Sequence, residues 1–262
     1  SSKVCCVAAK ISEQGEPTIV GFGSSPSLGI KSGNVVDIDR TVQGIDDAVR
    51  KASSQAGESI ASVYLGISGA HVQTMNSRGV AAITSPNQAI RPEDRDRAVE
   101  QSKVIVVPSD RQIIHTIPRM FSIDGTCGVR QPVGMFGSRL EVETHIAMAG
   151  STHVANLDKC VLDAGLDIEG RVLASLAAGA AVLLPGESEQ GVCLIDIGAG
   201  TTDVAVFTDG EIHTAFVQPV AGNHITNDIA QVLRVTAQEA ERLKTVSGHA
   251  LADAIGENEV VE

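Results

Sequence analysis

Gly191-Val192-Cys193-Leu194-Ile195-Asp196-Ile197-Gly198-Ala199-Gly200-Thr201-Thr202-Asp203-Val204-Ala205-Val206-Phe207 is the stretch on which the fold turns. Residues 192–195 form an apolar run, short and β-branched enough for a buried strand, and residues 204–207 form a second. Asp209-Gly210 then turns the chain. Gly198, Gly200, Thr201 and Thr202 lie between the runs. The segment therefore reads as a β-hairpin whose tip offers bare backbone amides, two hydroxyls and the carboxylates of Asp196 and Asp203. Glycine lets a backbone approach an anion closely, and successive amides form a nest for phosphate. A carboxylate at a strand end can hold Mg²⁺, usually through water, and Asp196 is that candidate. No Gly-Lys-Ser/Thr follows, so this is not a P-loop; no helical pattern follows, so it is not a dinucleotide fingerprint. The plain alternative is a Gly-rich turn with no ligand.

With 262 residues the chain can bury a large core and divide into two or more domains. Hydrophobic residues at 43%, charged residues at 20% and a mean hydropathy of +0.11 describe a folded globular protein. Aromatic residues make up only 2% and there is no Trp, so the core is aliphatic and base stacking is disfavoured. A net charge of −12 argues against nucleic acid held through its phosphates. It does not exclude ATP, which local amides and Mg²⁺ can hold. Cys5, Cys6, Cys127, Cys160 and Cys193 are scattered, with no Cys-x-x-Cys, and several sit in apolar runs, so they read as buried, reduced thiols of a cytosolic protein rather than a zinc site. No apolar run reaches the length of about 18 residues that spans a bilayer, and no signal peptide is visible.

Along the chain, residues 3–11 and 18–24 read as strands, 24–33 as a loop, and 38–57 as a helix with Val42, Ile45, Ala48, Val49 and Ala52 on one face. Residues 62–67 read as a strand, and 73–83 as a strand pair about Arg78-Gly79. A helix follows over 91–104, then strands at 112–118 and 121–123, a loop at 129–138 and an alternating strand at 140–149. Residues 154–164 read as a helix, and 172–184 as an Ala-rich helix packed tightly on a neighbour. After the hairpin come a strand at 211–219, a helix at 225–233 and a helix at 236–246 opened by a Thr236/Glu239 capping box.

Three features together resemble one family: Asp196-Ile197-Gly198-Ala199-Gly200-Thr201-Thr202-Asp203; Pro219-Val220-Ala221-Gly222-Asn223-His224-Ile225; and Glu239-Ala240-Glu241-Arg242-Leu243-Lys244. They are similar to the ATPase superfamily of actin, chaperones and hexokinase and, within it, to the FtsA family of bacterial cell division. Residues 23–33, Val63-Tyr64-Leu65-Gly66-Ile67-Ser68-Gly69 and Pro132-Val133-Gly134-Met135-Phe136-Gly137 extend the likeness along almost the whole chain. The resemblance implies an α/β, actin-like (ribonuclease H-like) ATPase fold with an inserted FtsA-type 1C subdomain, an SHS2 domain, and part of a second domain. It implies subdomain 1A over 1–61 and 147–175, 1C over 62–146, 2A over 176–212 and 2B over 213–262.

Carried over position by position, Asp196, Gly198, Ala199, Gly200, Thr201 and Thr202 look like the second phosphate motif. Gly222 and Asn223 match the turn of the ribose and phosphate contacts, and Glu241 and Lys244 match the helix pair beside ribose and adenine. Ser1, Ser2 and Lys3 look like the tail of the first phosphate motif, whose aspartate and glycine are not in the sequence. Ala199 stands where the family usually has Gly, tolerable if no positive φ is needed. The implied cofactors are ATP and Mg²⁺. The implied function is to polymerise through 1C and 2B, and to tether FtsZ at the cytoplasmic face of the membrane at the division septum. Later division proteins would meet 1C, and a C-terminal amphipathic helix outside this sequence would reach the membrane. Hydrolysis, if any, would be slow, with Asp196 the catalytic candidate. The chain is expected to be part of a longer protein, with an open sheet edge in 1A.

The alternatives are a phosphotransferase or chaperone ATPase of the same superfamily, or a pilus-assembly actin-like adaptor. Taken alone, Glu241 and Lys244 also read as a surface ion pair of little worth. Asp203 reads as a residue capping the hairpin, with a catalytic group as the alternative. Arg78, Arg91, Arg95 and Arg97 read as a solvated face or a contact surface of 1C. Ser68 does not fit a nucleophile elbow, because Gly69 comes one position early.

Overall fold

The computed structural model describes residues 2–184 and 186–251. Alternating residues pair β1 (Lys3–Ile11) with β2 (Pro17–Pro26) in an antiparallel hairpin, Lys3 opposite Pro26. The stretch expected to be a loop instead extends β2 and contains β3 (Ile30–Lys31), which pairs with β4 (Asn34–Val35). Helix α1 (Ile38–Ala56) begins at Asp37, whose carboxylate accepts from the Arg40 amide at 3.0 Å. Its buried face holds Ile45, Ala48 and Ala52, as the periodicity requires, together with Thr41 and Gly44.

After β5 (Ser62–Ile67) the chain leaves this body and builds an antiparallel sheet with one helix. Its elements are β6 (Gln73–Ala82), α2 (Pro92–Ser102), β7 (Arg111–Ile123), β8 (Thr126–Val129) and β9 (Arg139–Gly150), in the strand order β6-β9-β7-β8. Two sequence expectations change here. Residues 73–82 form one strand, not a pair, and 112–118 with 121–123 fuse across Pro118 into β7. Gly79 serves the helix and not a turn: a Cβ there would lie 1.9 Å from the Ala98 carbonyl oxygen of α2. Pro118 lies where the β7–β9 register shifts, between Pro118 and Met120, so its missing amide falls at an irregularity. Ala98, Phe121, Leu140 and Val142 are buried between α2 and the sheet.

The chain returns through α3 (Ser151–Asp163) to β10 (Asp167–Leu173), a strand in a stretch with no strand expectation, which pairs in parallel with β5. Thus β5, which the resemblance puts within 1C, is bonded to the first body. Among the described strands β1 pairs only with β2, and β5 only with β10. The two pairs are not bonded to each other, and a cleft of about 870 Å³ lies between them. Helices α4 (Ala174–Val182) and α5 (Glu187–Gln190) then lead into the antiparallel sheet β11 (Val192–Ile197), β12 (Thr202–Thr208) and β13 (Glu211–Gln218). Helices α6 (Gly222–Leu233) and α7 (Ala237–Val246) follow; Thr236 caps α7 by accepting from the Glu239 amide at 3.2 Å. The Glu239 carboxylate bonds Arg242, so only half of the expected capping box forms.

One aliphatic core joins these parts, with Ile67, Val72, Ala147, Leu173, Phe207 and Ala215 among its buried members. Its polar rim runs between β6 and β13. The Thr74 hydroxyl donates to the Ala215 carbonyl at 2.5 Å, and the Asn76 amide donates to the His213 carbonyl at 3.1 Å. Since Asn76 donates outward, its Oδ1 faces the ring of buried His145, 2.8 Å from Nδ1, which therefore carries the proton. Burial, and then the nearby Arg119, His213 and His115, push the His145 pKa down to about 4.

Two outcomes follow from this packing. Gly79→Ala should destabilise the protein by about 1–3 kcal/mol, because backbone must move. Gly66→Ala, where a Cβ meets nothing within 4 Å, should change the thermal midpoint little. For His145 the folded pKa lies below the ordinary 6.5, so the unfolded chain binds more protons between these values and stability falls as pH drops from about 6.5 to about 4. Urea midpoints across that window should show a loss on the order of 2 kcal/mol, reduced in His145→Gln.

Candidate functional site

In the β11–β12 hairpin Ile197 faces Thr202 and Asp196 faces Asp203, which leaves residues 198–201 as the tip. The Gly198 amide closes it by donating to the Thr201 carbonyl at 2.9 Å. None of the tip residues has a positive φ, so Ala199 sits there without backbone strain. Among the described residues the amides of Ala199, Gly200 and Thr201 donate to no acceptor. The carbonyls point the other way. That of Gly198 accepts from the Gly222 amide at 3.1 Å, and that of Ala199 from the Asn223 amide at 2.8 Å. The first amides of α6, orphaned in any helix, are thereby satisfied by the hairpin. Thr202 braces the same joint, its hydroxyl donating to the Val220 carbonyl at 2.7 Å.

Behind Gly222 the two helices are tied by a small network. The buried Thr226 hydroxyl donates to Glu241 at 2.5 Å and accepts from the Lys244 ammonium at 2.9 Å. Lys244 also bonds the Gly222 carbonyl at 3.2 Å and pairs with Glu241 at 2.6 Å. Glu241 and Lys244 are therefore more than an isolated surface pair. The Lys244 ammonium and the Thr226 hydroxyl hold the Glu241 carboxyl below its usual range.

Asp196 and Asp203 share one face of the hairpin, as directly opposed residues must. Asp196 is exposed, whereas Asp203 is 4% exposed. Asp203 does not cap the turn: its Oδ2 accepts from the Ser68 hydroxyl at 2.7 Å, because the inner face of β12 points at the end of β5. Its Oδ1 has no partner among the described residues. Burial raises the Asp203 pKa and the Asp196 charge adds to this, against the Ser68 and Thr201 hydroxyls. The Ser68 hydroxyl is bonded to a carboxylate and not to an imidazole, so it forms no nucleophilic triad.

Lys3, on β1, and Thr201 both line the cleft between β1 and β5, together with Ser68 and Gly33. Lys3 and the hairpin tip thus share one space, while Gly222 and Lys244 lie behind the tip. Ser1 lies outside the described residues. Of the arginines expected on a face of 1C, Arg97 pairs with Asp94 at 2.5 Å and Arg95 with Asp96 at 2.7 Å.

Asp203, Ser68 and Thr226 were not singled out as site residues from sequence. A signal for Asp203 was present. On β12 it alternates with Ala205 and Phe207 on the buried face, where a lone carboxylate requires a partner.

Two family models match the chain: "SHS2 domain inserted in FTSA" over residues 69–148 and "Cell division protein FtsA" over residues 193–262. Similar proteins include the cell division protein FtsA of Pseudomonas aeruginosa, 39% identical over 262 residues, which covers 100% of this chain and 62% of the relative. FtsA of Neisseria meningitidis is 40% identical over 100% of this chain and 63% of the relative, and FtsA of Bacillus subtilis 40% identical over 93% and 56%. The chain spans 56–63% of the length of these relatives. Among solved structures, the PilM–PilN type IV pilus biogenesis complex superposes with a TM-score of 0.68 at 18% identity, over 94% of this chain and 67% of that one. The ethanolamine utilization protein EutJ from Carboxydothermus hydrogenoformans gives 0.53 at 17% identity, over 95% and 60%. At such identities these two structures speak for the fold alone, which is the actin-like ATPase fold with an SHS2 insertion. The chain belongs to the FtsA family of cell-division proteins.

Proposed function

We propose that this chain carries the phosphate-binding part of an actin-like MgATP site, and that nucleotide acts mainly as an assembly switch for a protein linking FtsZ filaments to the membrane. The observation that carries this reading is the run of unpartnered amides at Ala199, Gly200 and Thr201 above the paired carboxylates Asp196 and Asp203. Such amides fit a phosphate, and the orphaned Asp203 Oδ1 fits a water or hydroxyl donor. At Gly198 a Cβ would crowd the Thr201 carbonyl at 3.1 Å, so glycine suits the close of the tip, and the Thr201 and Thr202 hydroxyls flank it. Lys3 approaches from the opposite wall of the cleft. Gly222 and Asn223 set the tip's position, and Glu241 and Lys244 border the sugar and base.

Among the described residues no three His, Cys, Asp or Glu side chains group together. A Mg²⁺ at Asp196 would therefore complete its shell with water and phosphate oxygens, as that ion commonly does. It would neutralise phosphate charge; the chain's own part is to position it through Asp196. The same carboxylate is placed to orient an attacking water, and turnover is slow.

In this reading 1A comprises 1–61 and 147–175, 1C 62–146, 2A 176–212 and 2B 213–262. Filaments form through 1C and 2B, later division proteins meet 1C, and FtsZ meets 2B. Membrane attachment at the septum belongs to an amphipathic segment outside this sequence. Among the described residues no helix is long and apolar enough to cross a bilayer.

The test is equilibrium binding of ATP to the whole protein, followed by co-sedimentation with FtsZ filaments. Asp196→Ala should weaken binding about tenfold or more in Mg²⁺ and leave it unchanged in EDTA, since a lost charge-assisted contact is worth roughly 1.5–3 kcal/mol. Wild type should pellet with FtsZ and self-assemble only with MgATP. Equal Mg²⁺-dependent binding by both proteins would remove Asp196 from the site, and no association with FtsZ would remove the tethering role.

A further inference from the structure

Ser68 has no part in the nucleotide contacts proposed above, yet it occupies a singular position. It follows β5, at the point where the chain departs into the unit spanning residues 73–150, and its hydroxyl holds Asp203 at 2.7 Å. Asp203 is 4% exposed, and its other oxygen is unpartnered among the described residues. Its one close hydrogen bond comes from Ser68, with the Thr201 hydroxyl a weaker neighbour, so Ser68 does most to fix its position.

Beyond Ser68 the backbone is packed without slack. A Cβ on Gly33 would lie 2.4 Å from the Ser68 carbonyl oxygen, and Gly69, at φ +145, would place a Cβ 2.9 Å from the His71 ring. The Val72 amide closes the turn on the Gly69 carbonyl at 2.9 Å. The His71 ring stacks on that of His153, in the first turn of α3, with centroids 4.5 Å apart. The His71 carbonyl accepts from the Arg111 guanidinium of β7 at 2.8 Å. The outgoing crossing (68–72) and the returning crossing (150–153) are thus clamped together, and Ser68 is the member of that clamp bonded to the hairpin.

The geometry points to Ser68 as a positioning residue that couples the state of the phosphate hairpin to the orientation of the inserted unit. This inference rests on the nucleotide reading of the hairpin. A ligand that shifts Asp203 makes or breaks one hydrogen bond, and the rigid turn behind Ser68 passes the displacement to both crossings instead of absorbing it. The two states are Ser68 bonded to Asp203 and Ser68 released, and a ligand biases them only through its differing contacts with each.

Amide hydrogen exchange on the whole protein tests this, in wild type, Ser68→Ala and Ser68→Thr, with MgATP, with MgADP and without nucleotide. In wild type the amides of 69–73 and 150–153 should exchange about tenfold more slowly with MgATP than with MgADP. That difference should vanish in Ser68→Ala and return in Ser68→Thr, which keeps the hydroxyl. Its persistence in Ser68→Ala, or its loss in both variants, overturns the coupling, as does wild-type binding without any such difference. Absence of nucleotide binding by the wild type overturns both the coupling and the reading beneath it.

Discussion

A carboxylate that is 4% exposed, with a second carboxylate directly across the strand pair, is the constraint around which this site is arranged. An isolated buried charge is too costly to leave alone, so Asp203 must be partnered, partly neutralised, or both. Its pKa is raised by burial, and the Ser68 hydroxyl supplies the bond that keeps the side chain in place. Because Ser68 directly follows β5 and Asp203 lies on β12, that bond fixes the hairpin relative to the first body. Everything at the tip inherits its placement: the carbonyls of Gly198 and Ala199 dock α6, and the three amides left over have no acceptor among the described residues. The seating of α6 in turn places Thr226 to knit Glu241 and Lys244.

Much of this was legible in sequence because local signals and tertiary demands agree there. The α1 face of Ile45, Ala48 and Ala52 and the alternation along β12 follow a single period, so burial and propensity select the same residues; β11, expected to be a buried strand, forms as a strand but leaves Ile195 56% exposed. Where the reading failed, a tertiary contact outweighed a local one. Gly79 suggests a turn, but the approach of α2 uses its missing side chain within a continuous strand. Pro118 suggests a break, yet β7 continues through it because the ladder is already irregular there. β10 was missed because Glu169, Gly170 and Arg171 interrupt its apolar pattern. Arg171 is held by Asp158 of α3, a pairing that no local window contains.

The join between the inserted sheet and β13 shows a second kind of illegibility. Thr74 and Asn76 look in sequence like solvent-facing polar residues of a strand. In the structure they substitute for a neighbouring strand, supplying bonds to the Ala215 and His213 carbonyls at the edge of β13. Side chains meet the edge here in place of a backbone ladder, so parting the two units exposes groups that water can satisfy. The apolar contacts behind them, Val72 and Ala147 against Ile212 and Ala215, set the larger cost of separation. A seam of this composition holds a preferred orientation without making it permanent.

The overall charge of −12 would by itself repel a nucleotide, so any affinity for one must come from within a few ångströms of the tip. The helix N-terminus next to it contributes little directly, since the Gly222 and Asn223 amides already donate to the hairpin. Those bonds instead polarise the Gly198 and Ala199 peptides, which strengthens the unpartnered amides of the same chain segment as donors. Lys244 is likewise committed, to Glu241, Thr226 and the Gly222 carbonyl, and holds the frame more than it supplies free positive charge. On the proposed reading, neutral donors and a cation held by exposed Asp196 carry the binding. The protein's own cations shape the pocket. Affinity should then depend more on Mg²⁺ than on general ionic strength, which separates this site from a basic patch.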